Sequence, residues 1–190
     1  MSTNRQGDWI QTATGKQFWP FDPRPEDIDI VDIAISLSKQ CRFGGHCKDG
    51  AFISVAQHSV EVSLHVPEKD ALWGLLHDAP EAYLGDLKRP IKKHPKFAFY
   101  RELEKAIMDC MCERFGLLKE CPASVHLADE YALATERRDF MASSPEPWEN
   151  MLSPWDDIQV SWSPDKASWR FMDRFNELIG AYEPWPSSCK

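Results

Sequence analysis

Residues 75–86 place an apolar run directly before a histidine and several carboxylates. The run ends at Leu76, and His77 and Asp78 follow directly. Glu81 and Asp86 come three and eight residues after Asp78. On a helix, His77 and Glu81 share one face, and Asp78 is offset from them by about 100°. Because burying an unpaired carboxylate is costly, any fold that encloses this segment must supply a compensating positive charge.

A divalent cation is one source of that charge, since a mixed set of imidazole and carboxylate ligands suits a first-row divalent metal. The alternative is a histidine and an aspartate at the end of a helix, with solvated acids behind them. Two other segments favour the metal. His58 lies in an upstream apolar helix pattern, and Asp129 shares a helical stripe with Val125, Ala132 and Glu136. Periodicity assigns Asp129 to the core, where a carboxylate needs a cationic partner.

The order His58, His77-Asp78, Asp129 resembles the H…HD…D signature of the HD-domain superfamily of metal-dependent phosphohydrolases. The string HDAPE at 77–81, followed by Gly85-Asp86, narrows the resemblance to the 5'-deoxynucleotidase branch. It is also similar to the related phage deoxynucleoside triphosphohydrolases, including those that act on dATP. The resemblance covers roughly residues 29–140 and implies an all-α, HD-domain helical bundle.

The resemblance also implies roles for individual residues. The four motif residues His58, His77, Asp78 and Asp129 would hold one divalent transition-metal ion (Zn, Co, Mn or Fe). Glu81 and Asp86 would orient the attacking water and assist the leaving group. The remaining candidates would contact the substrate: Arg42, Lys88 and Lys92 the phosphate, and Phe43 and His46 the nucleoside. Arg42 matches the family arginine by position only, and the alternative for it is a surface arginine.

The expected activity is hydrolysis of 5'-deoxynucleotides, releasing the deoxynucleoside from mono- or triphosphates or from both. The alternatives are a nucleotide-binding or sensing module with weak turnover, and an HD hydrolase of cyclic or alarmone nucleotides. Retention of both Glu81 and Asp86 speaks against a sensing module. Relatives of this kind form homo-oligomers, and the resemblance implies the same here.

Charge and hydropathy limit the partners. The chain has 190 residues, a net charge of -8 and a pI near 5.2, which argues against binding the backbone of a long nucleic acid. No apolar run approaches membrane-spanning length and no secretory leader is evident. We therefore expect a cytoplasmic protein without a membrane partner, in the host cytoplasm if it is phage-encoded, and six cysteines present as free thiols.

The helical patterns predict one domain over 1–190 with about six helices. Residues 1–28 form an extension with a possible hairpin turning at Thr14-Gly15, and 29–142 form the metal-site core. The core helices are expected at about 30–41, 54–64, 70–84, 100–115 and 122–140. Residues 143–190 contain an irregular Trp/Pro-rich segment and a last helix that begins at Ser163-Pro164.

Several polar neighbours are not assigned to the site. His65 lies on nearly the same face as His58 but outside the motif, so it is expected to be a structural histidine. His126 and Glu130 lie off the Asp129 stripe. Arg89, Lys93 and Lys96 are expected on a solvated face.

Overall fold

A computed structural model describes residues 5–180 and shows an all-α bundle with a small antiparallel hairpin, as predicted. Two strands come first, β1 (Ile10–Gln11) and β2 (Gln17–Phe18). Six helices of at least six residues form the bundle: α1 (Ile30–Lys39), α2 (Val55–Leu64), α3 (Ala71–Leu76), α6 (Ala98–Phe115), α7 (Ala123–Phe140) and α8 (Pro164–Ile179). Two four-residue helices, α4 (Glu81–Leu84) and α5 (Arg89–Lys92), lie between α3 and α6.

The hairpin is fixed to the bundle at both its turn and its second strand. The backbone N–H and hydroxyl of Thr14 donate to the buried Asp32 of α1, at 2.7 and 3.0 Å. Phe18 is fully buried and stacks on Tyr83, with ring centroids 3.8 Å apart. A two-stranded ribbon is marginal alone, so these contacts with α1 and α4 stabilise it.

Side-chain caps mark three of the helix starts. Asp29 accepts from the backbone N–H of Val31, and Ser54 and Ser163 accept from Gln57 and Lys166 at the starts of α2 and α8. Helix α1 ends at Lys39, earlier than its apolar stripe suggested. The chain then turns extended, and Cys41 forms a β-bridge with Ser54.

The predicted continuous helix over 70–84 is wrong, because the chain forms α3 and α4 with a tight turn between them. Through this turn the backbone hydrogen bonds span three residues, for example from Ala79 to Leu76 (3.0 Å) and from Glu81 to Asp78 (3.0 Å). Pro80 has no N–H to donate, which breaks the α-helical pattern. His77 and Asp78 therefore lie in a turn, not on a helix face.

Helix α2 lies at the centre of the bundle and packs against α1, α3, α7 and α8. Residues 141–163 carry no helix or strand, in agreement with the predicted irregular segment, and they fold back onto α2. Gln57 of α2 donates to the carbonyl of Val160 at 2.9 Å and accepts from the N–H of Trp162 at 3.0 Å. This arrangement encloses the middle of α2, where His58 lies.

No helix described at residues 5–180 is long and apolar enough to cross a membrane. The five cysteines in this range are free thiols, as expected, and Cys189 lies outside the described residues. The predicted division into segments 1–28, 29–142 and 143–190 includes residues 1–4 and 181–190, which also lie outside them.

Candidate metal centre

His58 lies on the second turn of α2 and is fully buried. Its Nδ1 is 2.6 Å from Oε1 of Glu136, and its Nε2 points into a cluster of nitrogen and oxygen atoms. The Ser54 cap and the two Gln57 hydrogen bonds hold this end of α2 in place. The ring is therefore fixed in the core with one nitrogen occupied and the other directed at the site.

His77 and Asp78 enter the cluster from the turn after α3. Nδ1 of His77 lies 2.8 Å from the carbonyl of Gly74, which leaves Nε2 directed at His58. The two Nε2 atoms are 3.2 Å apart. Oδ2 of Asp78 lies 3.5 Å from Nε2 of His58 and 3.3 Å from Nε2 of His77.

Asp129 completes the cluster from α7. Its Oδ1 lies 3.2 Å from Nε2 of His58, and the ligand atoms of His58, His77 and Asp129 all lie within 4.8 Å of one another. Atoms bound at about 2.0–2.2 Å to one cation lie about 3.0–3.5 Å apart in octahedral or tetrahedral arrangements. The His58–His77 and His58–Asp129 distances, 3.2 Å each, fit that spacing, so the group of His58, His77 and Asp129 could hold a metal ion.

Burial and the charges of the cluster shift the pKa values of His58, Glu136 and Asp129. Burial and the nearby Arg42 act to lower the pKa of His58, but Glu136 and a hydrogen bond with Asp129 outweigh them and raise it to about 10. Burial acts to raise the pKa values of Glu136 and Asp129, yet the surrounding cations hold both below the ordinary values. Without a metal ion, protonated His58 and the guanidinium of Arg42 together balance the charge of these carboxylates.

Arg42 lies on the loop between α1 and α2 and is paired with carboxylates of the cluster. Its Nε donates to Oε2 of Glu136 at 2.8 Å, and one terminal nitrogen lies 3.6 Å from Oδ2 of Asp78. The side chain is only 11% exposed, so the surface-arginine alternative is wrong. Arg42 therefore contacts the carboxylates of the candidate metal cluster.

The loop Arg42–Gly45 also brings together other substrate-binding candidates. Phe43 has a left-handed backbone (φ 58°), and its ring meets that of Trp148 edge-on at 6.5 Å. A Cβ on Gly44 would lie 2.4 Å from Cε of Lys88, so that lysine crosses directly over the loop. His46 is exposed, and no side-chain hydrogen bond or ion pair places it in the described structure. The nucleoside roles of Phe43 and His46 stay predictions.

Glu81 lies in the first turn of α4, and its side chain is buried but incompletely paired. It is 4% exposed, its Oε2 has no hydrogen-bond partner among the described residues, and Oε1 lies 3.6 Å from Nζ of Lys92. Burial and the charges of Asp78 and Asp86 raise the pKa of Glu81 well above its ordinary value. A buried, unpartnered carboxyl beside a cationic site is a natural proton acceptor and donor.

Asp86 and Lys92 surround the same region. The backbone N–H of Asp86 donates to the Gln40 side chain at 3.0 Å, and burial raises the pKa of its half-buried carboxyl, against the charge of Arg42. Lys92 forms ion pairs with Glu81 and Glu104. Lys92 therefore lies within reach of an anion near Glu81, but two carboxylates already compete for it.

A cavity of about 320 Å³ opens beside the cluster, between the 77–80 turn, α6 and α7. Its volume is at the lower end of the range for small-molecule sites. His77, Asp78 and Asp129 form one wall of it. The rest of the lining is mixed: cationic (Lys92, Arg101, Lys105 and Lys119), acidic (Glu104 and Asp109) and apolar, including Trp73, Met108 and Val125. Phe43 and His46 do not line this cavity.

Sequence reasoning missed two residues that contact the cluster. Glu136 shares the stripe of Asp129, and that shared stripe, together with the cost of burying a carboxylate, was the signal that could have identified it. Arg89 is exposed, as expected, but it also donates to Asp129 at 3.2 Å and to Glu130 at 2.7 Å. His65 is outside the cluster, as expected, and stacks on Trp155 with ring centroids 3.7 Å apart.

Comparison with known proteins finds relatives that share most of this chain. No family model matches it. The uncharacterized protein RCAP_rcc00048 of Rhodobacter capsulatus is 35% identical over 127 residues, which is 63% of this chain and 64% of the relative. The uncharacterized protein YfdR of Escherichia coli (strain K12) is 38% identical over 173 residues, covering 90% of this chain and 95% of YfdR. At that identity and coverage, the chain belongs to the family of YfdR.

Proposed function

We propose that this protein is a metal-dependent phosphohydrolase of the HD-domain type that acts on 5'-deoxynucleotides. The observation that carries the proposal is the convergence of His58, His77 and Asp129 as a group that could hold one cation, with Oδ2 of Asp78 at 3.5 and 3.3 Å from the two histidine Nε2 atoms. The two imidazoles and two carboxylates favour a transition metal such as Zn, Co, Mn or Fe. Such an ion, when bound, supplies Lewis acidity toward a phosphate oxygen and toward a water molecule.

The residues around the cluster support a phosphoryl substrate. Arg42 lies against the cluster with part of its guanidinium unpaired, and Lys88 crosses the same loop. Arginine and lysine provide the charge that phosphate recognition needs. The neighbouring cavity combines apolar walls with four cations and with Glu104 and Asp109, which pair with Lys92 and Lys105. Arg101 and Lys119 are its cations without a carboxylate partner among the described residues, and they could meet the anionic end of a ligand.

Hydrolysis also needs a group that moves a proton. Glu81 offers an unpartnered oxygen in the interior and is suited to accept a proton from the attacking water. Asp86, whose pKa is raised by burial, is suited to assist the leaving deoxynucleoside oxygen. These assignments keep the balance of atoms: water adds to phosphorus, the phosphorus–oxygen bond to the 5' carbon breaks, and the proton passes to the departing oxygen.

Product analysis tests the proposal. Metal-loaded protein is incubated with each deoxynucleoside mono-, di- and triphosphate, and the products are separated by ion-exchange chromatography. Deoxynucleoside with orthophosphate from monophosphates supports a nucleotidase, and deoxynucleoside with tripolyphosphate supports a triphosphohydrolase. No turnover of any deoxynucleotide by protein that binds metal would overturn the proposal and favour a sensing module. Turnover of cyclic or alarmone nucleotides alone would favour the other hydrolase alternative.

A further inference from the structure

The side chain of Glu136 has two oxygens, and each accepts from a different residue of the site. Oε1 lies 2.6 Å from Nδ1 of His58, and Oε2 accepts from Nε of Arg42 at 2.8 Å. The glutamate is completely buried, as is His58, so water cannot replace either partner. A single carboxylate therefore connects a metal-ligand candidate with a phosphate-binding candidate.

The position of Glu136 on α7 explains how it reaches His58. It follows Asp129 by seven residues, so both carboxylates project from the same helix face. Asp129 lies next to Nε2 of His58, and Glu136 lies next to Nδ1. Helix α7 thus addresses both nitrogens of one imidazole.

We propose that Glu136 is a positioning residue that keeps the proton of His58 on Nδ1, so that Nε2 is free to bind a metal ion. This inference rests on the metal centre of the proposed function and adds a residue outside its four ligands. An imidazole that binds a cation through one nitrogen carries its hydrogen on the other, and a hydrogen-bond acceptor there fixes the ring orientation. Glu136 is that acceptor, and its other oxygen accepts from Arg42.

The arrangement requires a carboxylate and not merely a polar side chain of the same shape. Arg42 has only hydrogen-bond donors and stays charged, so the atom of residue 136 that it contacts must be an acceptor oxygen. A glutamine has one oxygen and one NH2 group. In Glu136→Gln that oxygen goes to Arg42, and the NH2 group faces Nδ1 of His58. Nδ1 must then accept, and the imidazole hydrogen moves to Nε2, where it blocks the metal.

The test uses Co²⁺ titration of the full-length protein, followed by visible absorption and by calorimetry. Glu136→Gln should weaken Co²⁺ binding by about 10- to 100-fold, the usual effect of losing a carboxylate behind a ligating histidine. Arg42→Met should bind Co²⁺ within about threefold of wild type, because Glu136 keeps both oxygens. The double variant Arg42→Met/Glu136→Gln should recover most of the lost affinity, since the glutamine oxygen can then turn to His58.

The matched control is Asp32→Asn, which also changes a buried carboxylate with two hydrogen bonds, both from Thr14. It should leave Co²⁺ affinity unchanged. In wild-type protein loaded with Zn²⁺, nitrogen-15 NMR of the histidines should show His58 with hydrogen on Nδ1 and the metal on Nε2. This measurement decides the question even if Glu136→Gln does not fold.

Unchanged Co²⁺ affinity in Glu136→Gln, or a double variant that binds as weakly as Glu136→Gln, would overturn the role of Glu136 and leave the metal centre standing. Metal on Nδ1 of His58 in the wild type would do the same. Wild-type protein that binds no Co²⁺ would instead overturn the metal centre, and with it both proposals. A confirmed Glu136 effect without nucleotide turnover would leave the positioning role standing and remove the proposed phosphohydrolase activity.

Discussion

His58 has a carboxylate next to each of its ring nitrogens, Glu136 at Nδ1 and Asp129 at Nε2. Burial and Arg42 act to lower the pKa of His58, but the two carboxylates outweigh them and raise it to about 10. In the metal-free protein at pH 8.5, both ring nitrogens of His58 therefore carry a proton. Because the pKa of His58 is higher in the folded state, its protonation stabilises the metal-free fold. This stabilisation is fully present below about pH 6.5, the ordinary histidine pKa, and is lost as the pH rises through about 10. A metal ion competes with the proton for Nε2.

Metal binding at pH 8.5 should therefore release about one proton per site, although an ordinary histidine is already deprotonated there. The release should fall toward zero as the pH is raised through about 10. Calorimetric titration with Zn²⁺ in buffers of different ionisation enthalpy measures the number of protons. A binding enthalpy that is the same in all buffers at pH 8.5 would contradict the assignment of the raised pKa to His58.

Glu81 is expected to act on protons and not to hold the metal. Its Oε2 has no partner among the described residues, and its nearest cation is Lys92 at 3.6 Å. Glu81→Gln should keep Co²⁺ affinity within about threefold and lower kcat by at least about 100-fold, the usual contribution of a general acid or base. Glu104→Gln removes the other carboxylate partner of Lys92 and should lower kcat far less. Normal turnover by Glu81→Gln would remove its catalytic role.

The sequence located the four motif residues because their adjacency and order are local features that survive folding. It did not locate Arg89, since its partner Asp129 is forty residues away in the sequence and only the tertiary fold brings the two side chains together. Glu136 differs from Arg89 because its stripe position already placed it in the core. What the sequence could not show was which buried cation it would meet.

At the scale of the elements, the site depends on how closely α2 and α3 approach each other. Each carries or leads into one histidine of the cluster, and Gly74 lies where they cross. A Cβ at position 74 would be 3.0 Å from the Cα and 3.2 Å from the backbone nitrogen of Ser63. Because these neighbours are backbone atoms, the two helices can accept a side chain only by moving apart.

Gly74→Ala should therefore destabilise the fold by about 1–3 kcal/mol, as overpacking a tight contact does. It should also weaken Co²⁺ binding, because the separation moves His58 away from His77, whose Nδ1 is held by the Gly74 carbonyl. Urea unfolding of the metal-free protein and Co²⁺ titration measure the two effects. If Gly74→Ala has the unfolding free energy of wild type, the prediction that α2 and α3 must move apart to accept a side chain at this position is contradicted.

The predicted helix boundaries agree with the structure where a capping residue or a glycine marks the helix terminus. Ser54 and Ser163 cap the starts of α2 and α8, and Gly116 follows the last residue of α6, as these residue types predict. The prediction failed at 77–80, where apolar periodicity continues but Pro80 cannot donate its hydrogen bond. The turn at this proline places His77 and Asp78 together against α2 and α7, a geometry that a straight helix would not give.

Across the whole molecule, the candidate metal centre joins elements that are far apart in the sequence. His58 comes from α2, His77 and Asp78 from the turn after α3, and Asp129 from α7. The 141–163 segment closes over α2 through Gln57, and Arg174 of α8 donates to the side chain and backbone of Ser63 at the other end of that helix. An ion at the centre would thus bridge the packed core, and its binding energy would appear as stability of the fold.

Saturating metal should raise the thermal unfolding midpoint, because a ligand that binds only the folded state stabilises it by mass action. At 100 times the dissociation constant the gain is about 2.7 kcal/mol. For a domain of this size that corresponds to a rise in Tm of about 5–11 °C. Asp129→Asn removes one carboxylate without removing its shape, so its Tm should not respond to metal. Calorimetric scans with and without Co²⁺, and after a chelator, measure both proteins. If metal raises the Tm of wild type and of Asp129→Asn equally, the stabilising ion does not need the Asp129 carboxylate. That result would contradict the assignment of the ion to this cluster.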